Sequence, residues 1–137
     1  MSQENVEVVR SALAASNAKD IDALREAHDP NTIFKPVEGW PESGPFVGRE
    51  AVMAFFDQLW EAWDTDAFES TSLIDAHDRV VARVVWRGAF QGTESQMEFS
   101  GVYTLRKGRI VYTEIFWDHA EALEAVGLSE QDAHADS

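Results

Sequence analysis

The sequence predicts an α+β fold, with helices in the first half and an antiparallel sheet in the second. Two observations carry this. Apolar residues near the start recur three and four apart, as in Val6, Val9 and Leu13, which is the spacing of one helix face. Later runs alternate apolar and polar residues and are separated by His77-Asp78, Gln91–Thr93 and Lys107-Gly108. Connections this tight force the strands they join to pair antiparallel. A chain of 137 residues that is 45% hydrophobic has enough apolar mass for one packed domain.

Ser2 is placed to cap a first helix whose inner face carries Val6, Val9, Leu13 and Ser16 and which ends near Asn17. Asp20 caps a shorter helix with Ile21, Leu24 and Ala27, and Asp29-Pro30 stops it, because a residue before proline avoids the helical region. Thr32–Val37 reads as a short strand. Pro36 lacks an amide hydrogen, which predicts an edge strand or a bulge. Glu38–Gly48, with two prolines and three glycines, is a loop; its large residues Trp40 and Phe46 either cover a cavity or pack on the domain.

Arg49–Ala62 is a helix with the buried stripe Val52, Phe55, Phe56, Leu59 and Trp63. Strands are expected over Ala67–Ala76, Arg79–Phe90, Ser95–Arg106 and Arg109–Asp118. A last helix covers Ala120–Val126, and Gly127 provides its stop. Residues 1–128 form the domain, and the polar, acidic stretch 129–137 is expected to fray.

Alternation splits each strand between two faces. One face gathers Val80, Ala82, Val84 and Trp86 with Met97, Phe99, Gly101 and Tyr103, and with Val111, Thr113, Ile115 and Trp117. The other mixes Arg83 and Arg87 with Glu98, Glu114 and Asp118. Opposite charges on neighbouring strands stabilise a sheet by about 0.2–1 kcal/mol per pair. Val85, Val102, Tyr112 and Phe116 also lie on that second face, which predicts a homodimer through it.

Charge excludes several functions. Eleven Lys and Arg against 25 Asp and Glu leave a formal charge of −14, which repels a nucleic-acid backbone and an anionic membrane. There is no cysteine, hence no disulfide, thiol nucleophile or thiolate metal site. The polar start has no signal-like apolar core and no run nears the ~20 apolar residues of a membrane span, so a cytoplasmic protein is expected. His28, His77, His119 and His134 share no metal-ligand spacing, and no nucleophile elbow or phosphate loop is present. The expectation is no metal and no cofactor.

The order of these elements resembles the nuclear-transport-factor-2-like fold, most closely its SnoaL-like, polyketide-cyclase-like branch. The segments that carry the resemblance are Asn17-Ala-Lys-Asp20-Ile-Asp-Ala-Leu24, Gly48-Arg-Glu-Ala-Val-Met-Ala-Phe-Phe56, and Gly108-Arg-Ile-Val-Tyr-Thr-Glu-Ile-Phe-Trp-Asp118 leading into Glu121-Ala-Leu-Glu-Ala-Val-Gly-Leu128. The resemblance implies a cone-like, strongly curved sheet packed on three helices around an interior cavity, and commonly a dimer.

The same resemblance allows a test of isomerase chemistry, in which a carboxylate base works with a tyrosine and a neutral aspartic acid. The base position falls on Lys35, the aspartic acid near Gly101 and the tyrosine near Ala12, so all three roles are missing.

The remaining candidates for proton transfer are Asp118 and His119 at the end of the last strand, and Lys35 if it projects inward. Alternation puts His119 on the inner face and Asp118 on the outer, where capping the last helix is the readier role for it. The pocket is expected to be walled by Trp40, Phe55, Leu59, Trp63, Trp86, Phe99, Tyr103, Thr113 and Trp117, which suits a small apolar or aromatic ligand. Two functions fit: a cofactor-independent cyclase or isomerase, or a non-catalytic ligand-binding or dimerisation domain.

Overall fold

Long alternating runs in the second half of the chain build a curved, unclosed sheet of six strands, and the helical first half packs into its hollow. The computed structural model describes residues 2–41 and 44–129. In chain order the elements are α1 (Ser2–Asn17), α2 (Ile21–Glu26), β1 (His28–Lys35), β2 (Phe46–Val47), α3 (Arg49–Ala62), β3 (Thr65–Ala76), β4 (Arg79–Phe90), β5 (Thr93–Arg106), β6 (Arg109–Phe116) and α4 (His119–Ala125). The frayed tail expected from residue 129 lies, beyond Ser129, outside the described residues, as does the Ser2 side chain that was to cap α1.

The sheet order is β2-β1-β6-β5-β4-β3. The four strands from β3 to β6 pair antiparallel in sequence order, as their tight turns require. Lys107 and Gly108, both at positive φ, make the β5–β6 turn. The first strand departs from expectation. It starts at His28, ends before Pro36, and lies inside the sheet, antiparallel to β2 and parallel to β6. Its own proline, Pro30, falls in the irregular stretch between His28 and Ile33, where a missing amide hydrogen breaks no ladder bond.

The face assignment holds through β4 and β5. Val80, Ala82, Val84, Trp86, Phe99 and Tyr103 join one buried cluster with Val6 and Val9 of α1 and Val52, Met53 and Phe55 of α3. In β6 a bulge opposite Thr104 and Leu105 resets the alternation, so Ile110 enters this core and the expected Val111 does not. Asn17 ties the end of α1 to the sheet: its side chain donates to the Phe68 carbonyl and accepts from the Phe68 amide, both at 2.8 Å.

The convex face carries a second, smaller cluster. Ala122 and Leu123 of α4 are fully buried there against Ile74, Val81 and Val102, with Phe116 alongside. Two of the four residues that argued for a dimer, Val102 and Phe116, are thus covered by the chain's own last helix. Much of what remains on that face is charged, including the pairs Arg87–Glu69 at 2.8 Å and Lys35–Glu114 at 3.6 Å.

Candidate functional site

Between the concave face and the helices lies a narrow pocket of about 60 Å³. Its wall is apolar, with aliphatic side chains from α1 and β6 and aromatic rings: Phe34 from β1, Trp40 from the following loop, Phe55 and Phe56 from α3, Phe68 from β3 and Phe99 from β5. Ser16, His28, Thr32, Tyr103 and Thr113 supply the polar groups.

Local sequence explains how the rings lie. Tyr103 folds back over Gly101, where a Cβ would sit 2.9 Å from the phenol ring. Trp86 does the same over Gly88, where a Cβ would collide with the indole. This carries the Trp86 indole along the sheet to Trp63, edge to face at 4.7 Å, and neither lines the pocket.

The Trp40 indole packs among three other rings, and its backbone amide donates to the Val37 carbonyl at 3.0 Å. It meets Phe99 edge-on at 5.3 Å and Phe34 at 6.4 Å, and lies tilted against Trp117 at 5.6 Å. Its indole nitrogen is buried and makes no hydrogen bond, and the Ser16 Oγ is likewise buried and unpaired. Unpaired buried polar atoms are rare because each carries a desolvation cost of about 1–3 kcal/mol. Both belong to residues that line the pocket.

His28 opens β1, where its backbone pairs with Ile110. Its Nδ1 lies 2.8 Å from the Leu24 carbonyl oxygen. A carbonyl has no hydrogen to give, so Nδ1–H donates and the neutral ring keeps its lone pair on Nε2. Burial lowers the pKa of His28; the bond to Leu24 opposes this and the Arg49 guanidinium adds to it. Burial alone pushes the Tyr103 phenol up to about 12.

A histidine whose pKa is lowered on folding binds its proton more weakly in the folded chain than in the unfolded one. Stability is therefore lost as pH falls below the unfolded value of 6.5. Denaturant midpoints from about pH 8 to about pH 5 should fall faster for the wild type than for His28→Gln, whose amide nitrogen still reaches toward Leu24. The gap should grow by no more than about 1.4 kcal/mol per pH unit. Parallel curves would contradict a neutral, buried His28.

The structure brings Trp40, Phe55, Phe99, Tyr103 and Thr113 of the expected wall together around the pocket. Leu59, Trp63, Trp86 and Trp117 do not line it. Trp117 lies past the end of β6, is 42% exposed, and donates from Nε1 to the Glu38 carbonyl at 2.9 Å.

None of the three residues proposed for proton transfer lines the pocket. The Lys35 side chain is 55% exposed and pairs with Glu114 across β1 and β6, because Thr32 and Phe34 take the inward positions of that strand. Asp118 caps α4, accepting from the Ala120 amide at 2.9 Å. His119 begins α4 on the convex side, with Nδ1 2.7 Å from the Ser100 Oγ, so the turn into the helix reverses the side that alternation gave it. Among the described residues no cluster of His, Asp or Glu is set to hold a metal ion, and no helix is long and apolar enough to cross a membrane.

Solved structures share this architecture. Bal32a, from a soil-derived mobile gene cassette, is 24% identical over 86% of this chain and 92% of its own, with a TM-score of 0.78. TerC, co-crystallised with polyporic acid, is 20% identical over 90% and 98%, at 0.75. RV0760c from Mycobacterium tuberculosis, in complex with estradiol-17β-hemisuccinate, is 20% identical over 84% and 94%, at 0.73. No curated protein matches the chain in sequence. The SnoaL-like domain model matches residues 9–113, most of the folded region, and the chain therefore belongs to the SnoaL-like domain family.

Proposed function

We propose that this protein binds a flat, largely apolar small molecule between the concave face and the helices, beneath Trp40. The observation that carries the reading is the pair of buried polar atoms, Ser16 Oγ and Trp40 Nε1, that lack partners in the wall of a largely apolar pocket. A ligand with one or two polar atoms would supply those partners. Two proteins of the same fold, TerC and RV0760c, have been crystallised with small organic molecules, which supports the class of ligand.

The pocket holds about 60 Å³, whereas sites for drug-sized ligands run to roughly 300–1,000 Å³. A ligand must therefore displace part of the wall. Trp40 is the part to move, since its indole N–H has no hydrogen bond to break and its contacts are ring to ring. Trp117, tied to Glu38, provides a fixed surface behind it.

Lys35, Asp118 and His119 do not line this pocket, so the reading assigns them no proton transfer in it. Among the described lining residues only His28 and Tyr103 exchange protons, and Tyr103 does so far above neutral pH. The proposal is therefore binding first, with any proton transfer assigned to His28.

Calorimetric titration with naphthol, a neutral fused-ring alcohol, tests the reading. Saturable binding is expected in the wild type and, unchanged, in Lys35→Ala and His119→Ala. Absence of saturable binding, or its loss in either folded variant, would overturn it.

A further inference from the structure

We infer that His28 selects for a hydroxyl-bearing ring compound, a phenol or enol, by accepting that hydroxyl's hydrogen at Nε2. The inference rests on the binding reading above and adds the chemical class of the ligand and the residue that recognises it.

Three observations converge. The Leu24 carbonyl fixes the tautomer, which leaves Nε2 as the acceptor of a neutral imidazole. His28 lines the pocket, and with Nδ1 committed to the backbone its free polar atom is Nε2. Its position is clamped: the strand pairs with Ile110, and Arg49 Nη1 donates to the His28 carbonyl at 3.3 Å.

The rest of the polar lining is of a different kind. Ser16, Thr32, Tyr103 and Thr113 present hydroxyls, which donate as well as accept, and Trp40 presents only a donor. Among the described residues that line the pocket, His28 Nε2 is the one side-chain atom that can only accept. A bare aromatic hydrocarbon, an ether or a ketone in the pocket would leave it unpaired, whereas a hydroxyl fills it. The same hydroxyl oxygen then accepts from Ser16 Oγ or Trp40 Nε1, the two buried lining atoms that lack partners. Burial and the nearby Arg49 charge favour the neutral ring, which leaves the Nε2 lone pair available to accept.

The test compares naphthol with naphthalene and methoxynaphthalene on the whole chain. Wild type is expected to prefer naphthol by about tenfold or more, the scale of one hydrogen bond made or left unmade in a buried site. In the same samples, nitrogen NMR of labelled histidine should show the Nε2 resonance of His28 moving with naphthol and staying with the other two. In His28→Phe the preference should fall to about one.

Equal affinity for the three compounds, with a stationary Nε2 signal, would overturn this inference and leave the binding reading intact. Failure of all three to bind would overturn the binding reading itself. Because the affinity and NMR comparisons use the wild type, a misfolded variant does not blunt them.

Discussion

Replacing Phe34 by alanine is expected to cost about 3–5 kcal/mol of unfolding free energy, the range for removing a large buried aromatic side chain. The ring is 8% exposed and stands where three parts of the chain meet. It packs on Phe46 at 5.8 Å, on Phe55 of α3 at 5.1 Å and on Trp40 at 6.4 Å. Its loss therefore leaves a void between β1, the loop and α3 that the sheet, fixed by β1's pairing on both sides, cannot close. Denaturant unfolding measures the effect. A loss under about 1 kcal/mol would mean that the rings around Phe34 repack to fill the void.

The second large effect concerns binding. Ala12 of α1 is 6% exposed and faces the pocket. Ala12→Leu adds branched carbons on the helix side, where an opening of about 60 Å³ lies ready to take them. The usual overpacking cost of roughly 1–3 kcal/mol should be largely relieved by that opening, so stability should change little. Affinity for naphthol should fall by tenfold or more, about 1.4 kcal/mol, because ligand and leucine compete for one space. A variant that keeps both stability and affinity would place the ligand elsewhere.

The frame of the molecule was legible because its elements obey simple periods. The helix over Arg49–Ala62 and the strand over Arg79–Phe90 fall at the expected residues, since long periodic runs and tight turns leave few alternatives. Alternation identified the concave side correctly at Trp86, Phe99 and Tyr103. It failed at Val111, where a bulge adds a residue, and at His119, where the strand has already given way to a helix. Neither break leaves a mark in the pattern of apolar and polar residues.

The site was less legible. Ile33 and Phe34 are both apolar, so the face of β1 cannot be read from hydrophobicity alone. Placing Lys35 inward by resemblance reverses the strand that its own Phe34 defines. Trp63 and Trp86 read as pocket walls because they are large and aromatic, but Gly88 lets one indole lie along the sheet against the other. His28 is hidden in the sequence because Asp29-Pro30 reads as a helix stop, when the chain is in fact entering a strand there. The usable signal was its distance of four residues from Leu24, which lets a histidine just past a helix end bond back to a helical carbonyl. The fold-level resemblance was sound, while the residue-level transfer to Lys35 was not, since sites vary on a shared scaffold.

The most direct test of the central claim is the set of indole N–H resonances. The chain has five tryptophans, and their environments differ sharply. Trp40 caps the pocket with a free N–H, Trp117 is bonded to Glu38, and Trp63 and Trp86 pack on each other away from the lining. Titration with naphthol, followed by nitrogen–proton correlation spectra, should move the Trp40 indole signal most, with those of Trp63 and Trp86 nearly still. A Trp40 signal that stays in place at saturation, while Trp63 and Trp86 shift, would contradict a binding site beneath Trp40.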